Sequence, residues 1–125
     1  MIRTVVILLA GILMLLASFA HALAGWPHFA TELEASGAPA DLLVPLSIGW
    51  HWGSAAMGAF GLIVLTAAWK RWRGDRSGAW AVKWVAACWM LFGLATNVKF
   101  GFSGHFVGFM VVGALAWVPL LGERP

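Results

Sequence analysis

Charged side chains are scarce in this chain of 125 residues. Asp, Glu, Lys and Arg together make up 10% of the sequence, whereas soluble domains carry about 25%. Hydrophobic residues make up 62%, and a small domain keeps too much of its surface wet to hide that many of them. The composition therefore excludes an ordinary soluble fold and indicates an integral membrane protein that forms one domain over residues 1–125.

Cysteine and acidic residues are missing where several functions would need them. Cys88 is the single cysteine, so the sequence has neither an internal disulfide nor a Cys-x-x-Cys pair. No Asp or Glu falls inside a long apolar run, which removes the usual carrier for proton-coupled transport. Phosphate-binding loops and dinucleotide fingerprints are also absent. The sequence therefore offers no motif for an independent enzymatic activity, and no basic stripe for nucleic acid.

Four apolar runs are long enough to cross a membrane as helices, which takes about 20 residues each. Segments rich in Gly, Pro and charge separate them. The first run ends in Ala22-Leu23-Ala24, like a secretory signal, but it exceeds the length of a signal core and we expect it to be retained. We predict an all-α integral membrane protein, a four-helix transmembrane bundle with spans at residues 4–24, 46–69, 79–98 and 102–121.

The basic residues predict the orientation of these spans. Seven of the eight Lys and Arg residues flank one set of helix ends, and Lys99 alone lies at the other. Basic residues favour the cytoplasmic side of a membrane. We therefore predict a multi-pass protein of the bacterial inner membrane with both termini in the cytoplasm. Residues 70–78 form its basic cytoplasmic loop and residues 25–45 its periplasmic loop. The seven are Arg3, Lys70, Arg71, Arg73, Arg76, Lys83 and Arg124.

Tryptophan is the most abundant aromatic residue, with nine copies. All except Trp89 fall at or near a predicted helix end. The indole ring is apolar but its N–H needs a partner, so that tryptophan concentrates at membrane interfaces. We interpret Trp26, Trp50 and Trp52 as anchors at the periplasmic interface, and the remaining five as anchors at or near the cytoplasmic one.

All four histidines fall at the predicted periplasmic end, where helix-end hydrogen bonding is the simplest role for them. A site there has three alternatives. Two imidazoles could hold haem b, with His51 and His105 as the best pair, His21 as a substitute and Asn97 supporting them. A copper or zinc site could use His21, His28, His51 and His105. A quinone or lipid headgroup could accept hydrogen bonds from imidazole and Asn97.

Four methionines and the cysteine lie nearer the predicted membrane centre. Soft sulfur ligands at such depths could pass Cu(I) inward from the histidines. Isolated methionines inside a span more often serve packing, because the flexible thioether fills irregular gaps. The residues concerned are Met14, Met57, Met90, Met110 and Cys88.

Two Gly-x-x-x-Gly pairs give smooth helix faces, Gly49 with Gly53 and Gly104 with Gly108. Such faces let a second helix approach closely in a membrane. Together with the missing catalytic motifs, they favour a small accessory or assembly subunit, or a scaffold, whose partners are lipid and other membrane subunits or a second copy. The alternative function is a membrane protein that binds haem, quinone or copper at the periplasmic end, for electron transfer or metal handling.

Overall fold

The structure is a computed structural model that describes residues 1–122 and is built almost entirely of helix. It is 87% helical, and the described residues contain no strand, which confirms the all-α prediction. The helices are α1 (Ile2–Ala20), α2 (Trp26–Ala35), α3 (Ala40–Trp72), α4 (Ala79–Phe100) and α5 (Gly104–Trp117). A π turn (His21–Gly25) joins α1 to α2, and a 3₁₀ turn (Val118–Leu120) extends α5.

Three helical stretches are long and apolar enough to cross a membrane: Ile2–Ala35, Ala40–Trp72 and Ala79–Phe100. The fourth, Gly104–Leu120, is apolar but shorter. Each of the four predicted spans therefore coincides with an apolar helix, and three of the helices have spanning length. Arg124, which was counted toward the orientation, lies outside the described residues.

The segment 25–45, predicted as a loop, is mostly helical. The helix continues from α1 through the π turn into α2, and α3 begins at Ala40. Pro27 lies in the first turn of α2, where a missing N–H is tolerated, and the wider π turn before it gives its ring room. The break falls instead at Gly37, whose φ of 77° is a left-handed conformation that glycine adopts readily. Helix α3 also runs through Trp72, which shortens the predicted basic loop at its start.

The helices pack as two antiparallel pairs, α1 with α3 and α4 with α5. In each pair, one glycine on each helix lets the two backbones approach closely. A Cβ atom added at Gly93 would lie 2.9 Å from the carbonyl oxygen of Phe106, and one added at Gly61 would lie 3.0 Å from the backbone nitrogen of Leu15. The glycines that make these close contacts are Gly11 and Gly61 in the first pair, and Gly93 and Gly113 in the second.

The glycines of the two Gly-x-x-x-Gly pairs have open space around them. A Cβ atom at Gly49, Gly53, Gly104 or Gly108 would meet no described atom within 4 Å. The Gly-x-x-x-Gly spacing indicates a smooth helix face but does not identify what packs on it. Among the described residues, nothing packs on these faces. That they contact another chain stays a prediction.

Two of the methionines considered for copper transfer fill the space over the contact glycines. The Cγ atom of Met110 lies 2.7 Å from the Cβ position of Gly93, and the Cγ atom of Met90 lies 2.7 Å from that of Gly113. Met14 is fully buried in the core. Packing therefore explains these three methionines, as expected for a flexible thioether.

The buried core lies in the half of the bundle at the basic end, the end that carries Arg3 and residues 70–76. All four long helices contribute to it, through Ile7, Ala10, Met14, Val64, Ala67, Ala68, Val82, Val85, Ala86, Trp89, Ala116 and Leu120. At the opposite, histidine end the polar contacts lie within each pair, as where the Ser18 hydroxyl donates to the Ser54 carbonyl at 2.7 Å. The two helix pairs therefore pack together in the half of the bundle at the basic end and separate towards the histidine end.

Candidate functional site

A large cleft separates the two helix pairs at the histidine end. The opening between α3 and α4 has a volume of about 1020 Å³, and the opening between α1 and α5 has about 700 Å³. Ligand pockets commonly measure about 300–1,000 Å³, so the cleft has room for a ring and part of a chain. Seven residues border both openings. The shared residues are His21, Phe29, Trp50, Met57, Trp89, His105 and Phe109.

Aromatic rings form much of the inner wall. The rings of Trp89 and Phe109 lie with centroids 5.0 Å apart, and Phe92 meets Phe109 edge to face at 5.1 Å. Met57 adds a flexible apolar side chain from α3. Such a wall offers a ring-shaped ligand several faces for stacking and no charged side chain.

The π turn positions the first imidazole of the cleft, which belongs to His21. The His21 carbonyl accepts the Trp26 N–H across the wide turn and also the Trp50 indole N–H at 2.7 Å. The imidazole stacks on the indole of Trp50 with centroids 4.1 Å apart and planes 9° apart. Phe29 stacks on the same indole at 5.0 Å. Stacking occupies the flat face of the His21 ring, so its edge nitrogens remain able to hydrogen-bond a ligand.

The second imidazole belongs to His105 at the start of α5. The Ser103 hydroxyl caps this helix by accepting the Phe106 N–H at 3.3 Å, and the cap places His105 in the first turn. Its ring meets Phe106 and Phe109 edge to face, with centroids 5.6 and 5.5 Å away. His21 and His105 thus line the cleft together from different helix pairs.

The other two histidines do not line the inner wall. The Nδ1 atom of His51 lies 2.8 Å from the Ser47 carbonyl of its own helix, and its ring centroid lies 5.9 Å from that of Trp26. His28 forms an exposed pair with Glu32, 3.3 Å between Nε2 and Oε1, at the opening between α1 and α5. Among residues 1–122 no group of three His, Cys, Asp or Glu side chains is close enough to hold a metal ion.

Asn97 does not line the cleft but is buried between two helices. Its side chain is 1% exposed. The amide nitrogen donates to the Gly93 carbonyl at 2.7 Å and to the Met110 sulfur at 3.7 Å, and the amide oxygen accepts the Ser103 N–H at 3.2 Å. Asn97 therefore ties α4 to α5 and positions His105 indirectly.

Sequence reasoning missed the role of Trp50, which it interpreted as an interfacial anchor. The signal that could have found it is helical spacing. Residues 46, 50, 53, 57 and 60 recur at intervals of three and four, which places them on one face of α3, and all of them line the cleft. The chain matches no protein-family model, no curated protein and no solved structure. Function has to follow from the chemistry of the cleft itself.

Proposed function

We propose that the chain is an integral protein of the bacterial inner membrane with four spans and both termini in the cytoplasm. Three helices of spanning length and an apolar fourth support this. Large apolar side chains on the outer faces, such as Leu62 and Leu91, are more than half exposed and suit contact with lipid. The basic end favours the cytoplasm, so the cleft opens in the periplasmic half of the bilayer.

In this setting the cleft binds a lipid-soluble ring compound of the quinone class. The observation that carries the proposal is the large aromatic cavity with two imidazoles, His21 and His105, in its wall. A quinone ring stacks on indole and phenyl groups, and its carbonyl oxygens accept hydrogen bonds from imidazole N–H groups. Both imidazoles are then paired when the ligand excludes water, which avoids the cost of unsatisfied polar groups.

Copper suits this geometry less well, and haem b is the main competitor of a quinone. A haem held by two imidazoles needs both on one cavity, which His21 and His105 provide, but its propionates would find no Lys or Arg among the described residues that line either opening. His51, the preferred partner of His105 in the sequence prediction, lines neither opening. Copper and zinc sites gather several imidazole or sulfur ligands around one point. The described histidines form no such cluster.

A second candidate, the accessory subunit, is favoured by the open face at Gly49 and Gly53. Both glycines line the opening between α3 and α4 and have nothing within 4 Å of a Cβ atom. A transmembrane helix from another subunit, or from a second copy, could pack on such a face. A partner helix and a quinone would then compete for the same wall.

Purification in a mild detergent, followed by solvent extraction and quantification of bound lipids, tests the two candidates. We expect about one quinone per chain, because a single pair of imidazoles borders both openings of the cleft, with no Soret band and no stoichiometric metal. A Soret band that His21→Ala removes would overturn the quinone proposal in favour of haem, and stoichiometric copper would overturn it in favour of metal handling. Quinone-free protein in fixed ratio with another membrane subunit would identify an accessory subunit instead.

A further inference from the structure

We infer that the isoprenoid tail of the quinone leaves the cleft between α3 and α4, while the opening between α1 and α5 stays on the polar side of the ligand. This inference rests on the proposed function. It assigns the two openings different roles, and it gives Gly49 and Gly53 a role as the floor of a groove for the tail.

The walls of the α3–α4 opening suit a hydrocarbon tail. Apart from the two imidazoles, Thr96 is the one lining side chain with a hydroxyl, amide or charge. Its hydroxyl turns back on its own helix and lies 2.8 Å from the Phe92 carbonyl and 3.0 Å from the Gly93 carbonyl. A tail lying there buries apolar surface and leaves no polar side chain without a partner.

The α1–α5 opening is different at its mouth. His28 and Glu32 lie 3.3 Å apart there, with side chains 78% and 65% exposed. A tail leaving through this mouth would strip water from a carboxylate without replacing its hydrogen bonds, which is costly. The deeper part of the opening is apolar, with Leu13, Leu16 and Val112, but the opening is smaller than the one between α3 and α4, about 700 against about 1020 Å³. The polar ring of the ligand, or water, suits that mouth better than a tail does.

The length of the α3–α4 opening also suits the tail. Its lining runs along α3 from Pro45 to Phe60. The part from Trp50, on which His21 stacks, to Phe60 is a path of about 15 Å at about 1.5 Å per residue. It reaches Cys88, which lies near the middle of α4. The groove therefore leads from the imidazoles to the depth at which lipid chains meet in a bilayer. Gly49 and Gly53 widen it, because neither has a side chain to fill the space.

A matched pair of variants tests this route, since Gly53 lines only the α3–α4 opening and Gly108 only the α1–α5 opening. Both have open space around the Cβ position. We expect Gly53→Leu to weaken binding of a quinone with an isoprenoid tail at least tenfold and binding of a tail-less quinone less than about twofold, because apolar burial scales with area. Gly108 lines the opening assigned to the ring, so we expect Gly108→Leu to change the affinities for tailed and tail-less quinone by the same factor, to within about twofold.

Cys88 gives a second measurement in the unmodified protein. It is exposed, it lines the α3–α4 opening, and it is the single cysteine of the chain. Tailed quinone should slow its alkylation by a maleimide, and tail-less quinone should not. Alkylation unaffected by bound tailed quinone, or loss of tailed-quinone binding in Gly108→Leu but not in Gly53→Leu, would overturn the route. Wild-type protein that binds neither quinone would overturn the proposed function itself.

Discussion

Gly93→Ala is expected to destabilise the protein by about 3 kcal/mol, the upper end of what overpacking causes, although alanine forms helix better than glycine. The new Cβ atom would lie 2.9 Å from the Phe106 carbonyl oxygen and 3.0 Å from the Met110 backbone nitrogen. Backbone atoms of α5 cannot rotate away as a side-chain tip can. The two helices must therefore move apart, which weakens the whole α4–α5 pair.

The control is the same substitution at a glycine that touches nothing. Gly53→Ala should leave stability unchanged or raise it by up to about 1 kcal/mol, since alanine is the stronger helix former and its Cβ atom meets open space. Unfolding in mixed micelles with increasing SDS, followed by tryptophan fluorescence, compares the two. Equal stability of Gly93→Ala and Gly53→Ala would contradict the packing described for α4 and α5.

Replacing both imidazoles of the cleft, in the double variant His21→Ala with His105→Ala, should weaken quinone binding by up to about 100-fold. A hydrogen bond in a buried site contributes about 0.5–1.5 kcal/mol, and about 1.4 kcal/mol corresponds to a tenfold change in affinity. Two such bonds act on one ligand in the proposed site. The loss should therefore exceed that of either single variant.

The matched control removes the other two histidines, in the double variant His28→Ala with His51→Ala. It deletes the same chemistry from the same end of the bundle, but neither ring lines the wall shared by the two openings. We expect the affinity of this double variant for quinone to stay within about threefold of that of the wild type. Quenching of tryptophan fluorescence by a titrated quinone reads both affinities, because Trp50 and Trp89 line the cleft. Equal losses in the two double variants would show that the imidazoles of the cleft have no special role.

Much of the fold was readable from composition, because an apolar run of about 20 residues has few alternatives to a helix. The ends of the helices were harder to predict. Prolines were counted among the residues that separate the spans, yet Pro27 begins a helix and Pro45 lies inside α3. Proline removes a single backbone donor, and near a helix start that loss is small. Of the contact glycines, Gly61 and Gly93 were expected from the sequence to let helices approach, whereas Gly11 and Gly113 were missed, since only the packed partner reveals their use.

The site was predicted in part. The sequence singled out His21 and His105 at one end, and the structure places both in the wall of the cleft. It also favoured His51, which bonds to its own helix one turn back. The difference is helix rotation, which an apolar helix without a polar face does not encode in its periodicity. The role of Trp50 in the cleft was missed for the same reason. Its position near a predicted helix end is typical of an interfacial anchor, but it lies on the face of α3 that lines the cleft.

The most direct test of the quinone site is photoaffinity labelling in membranes, with an azide carried on the quinone ring and adducts mapped by peptide mass spectrometry. The proposed site predicts adducts on cleft residues such as Trp50, Trp89 and Phe109, and an excess of unmodified quinone should suppress them. Adducts confined to outward-facing side chains such as Leu62 and Leu91, or adducts that excess quinone does not suppress, would contradict a binding site in the cleft.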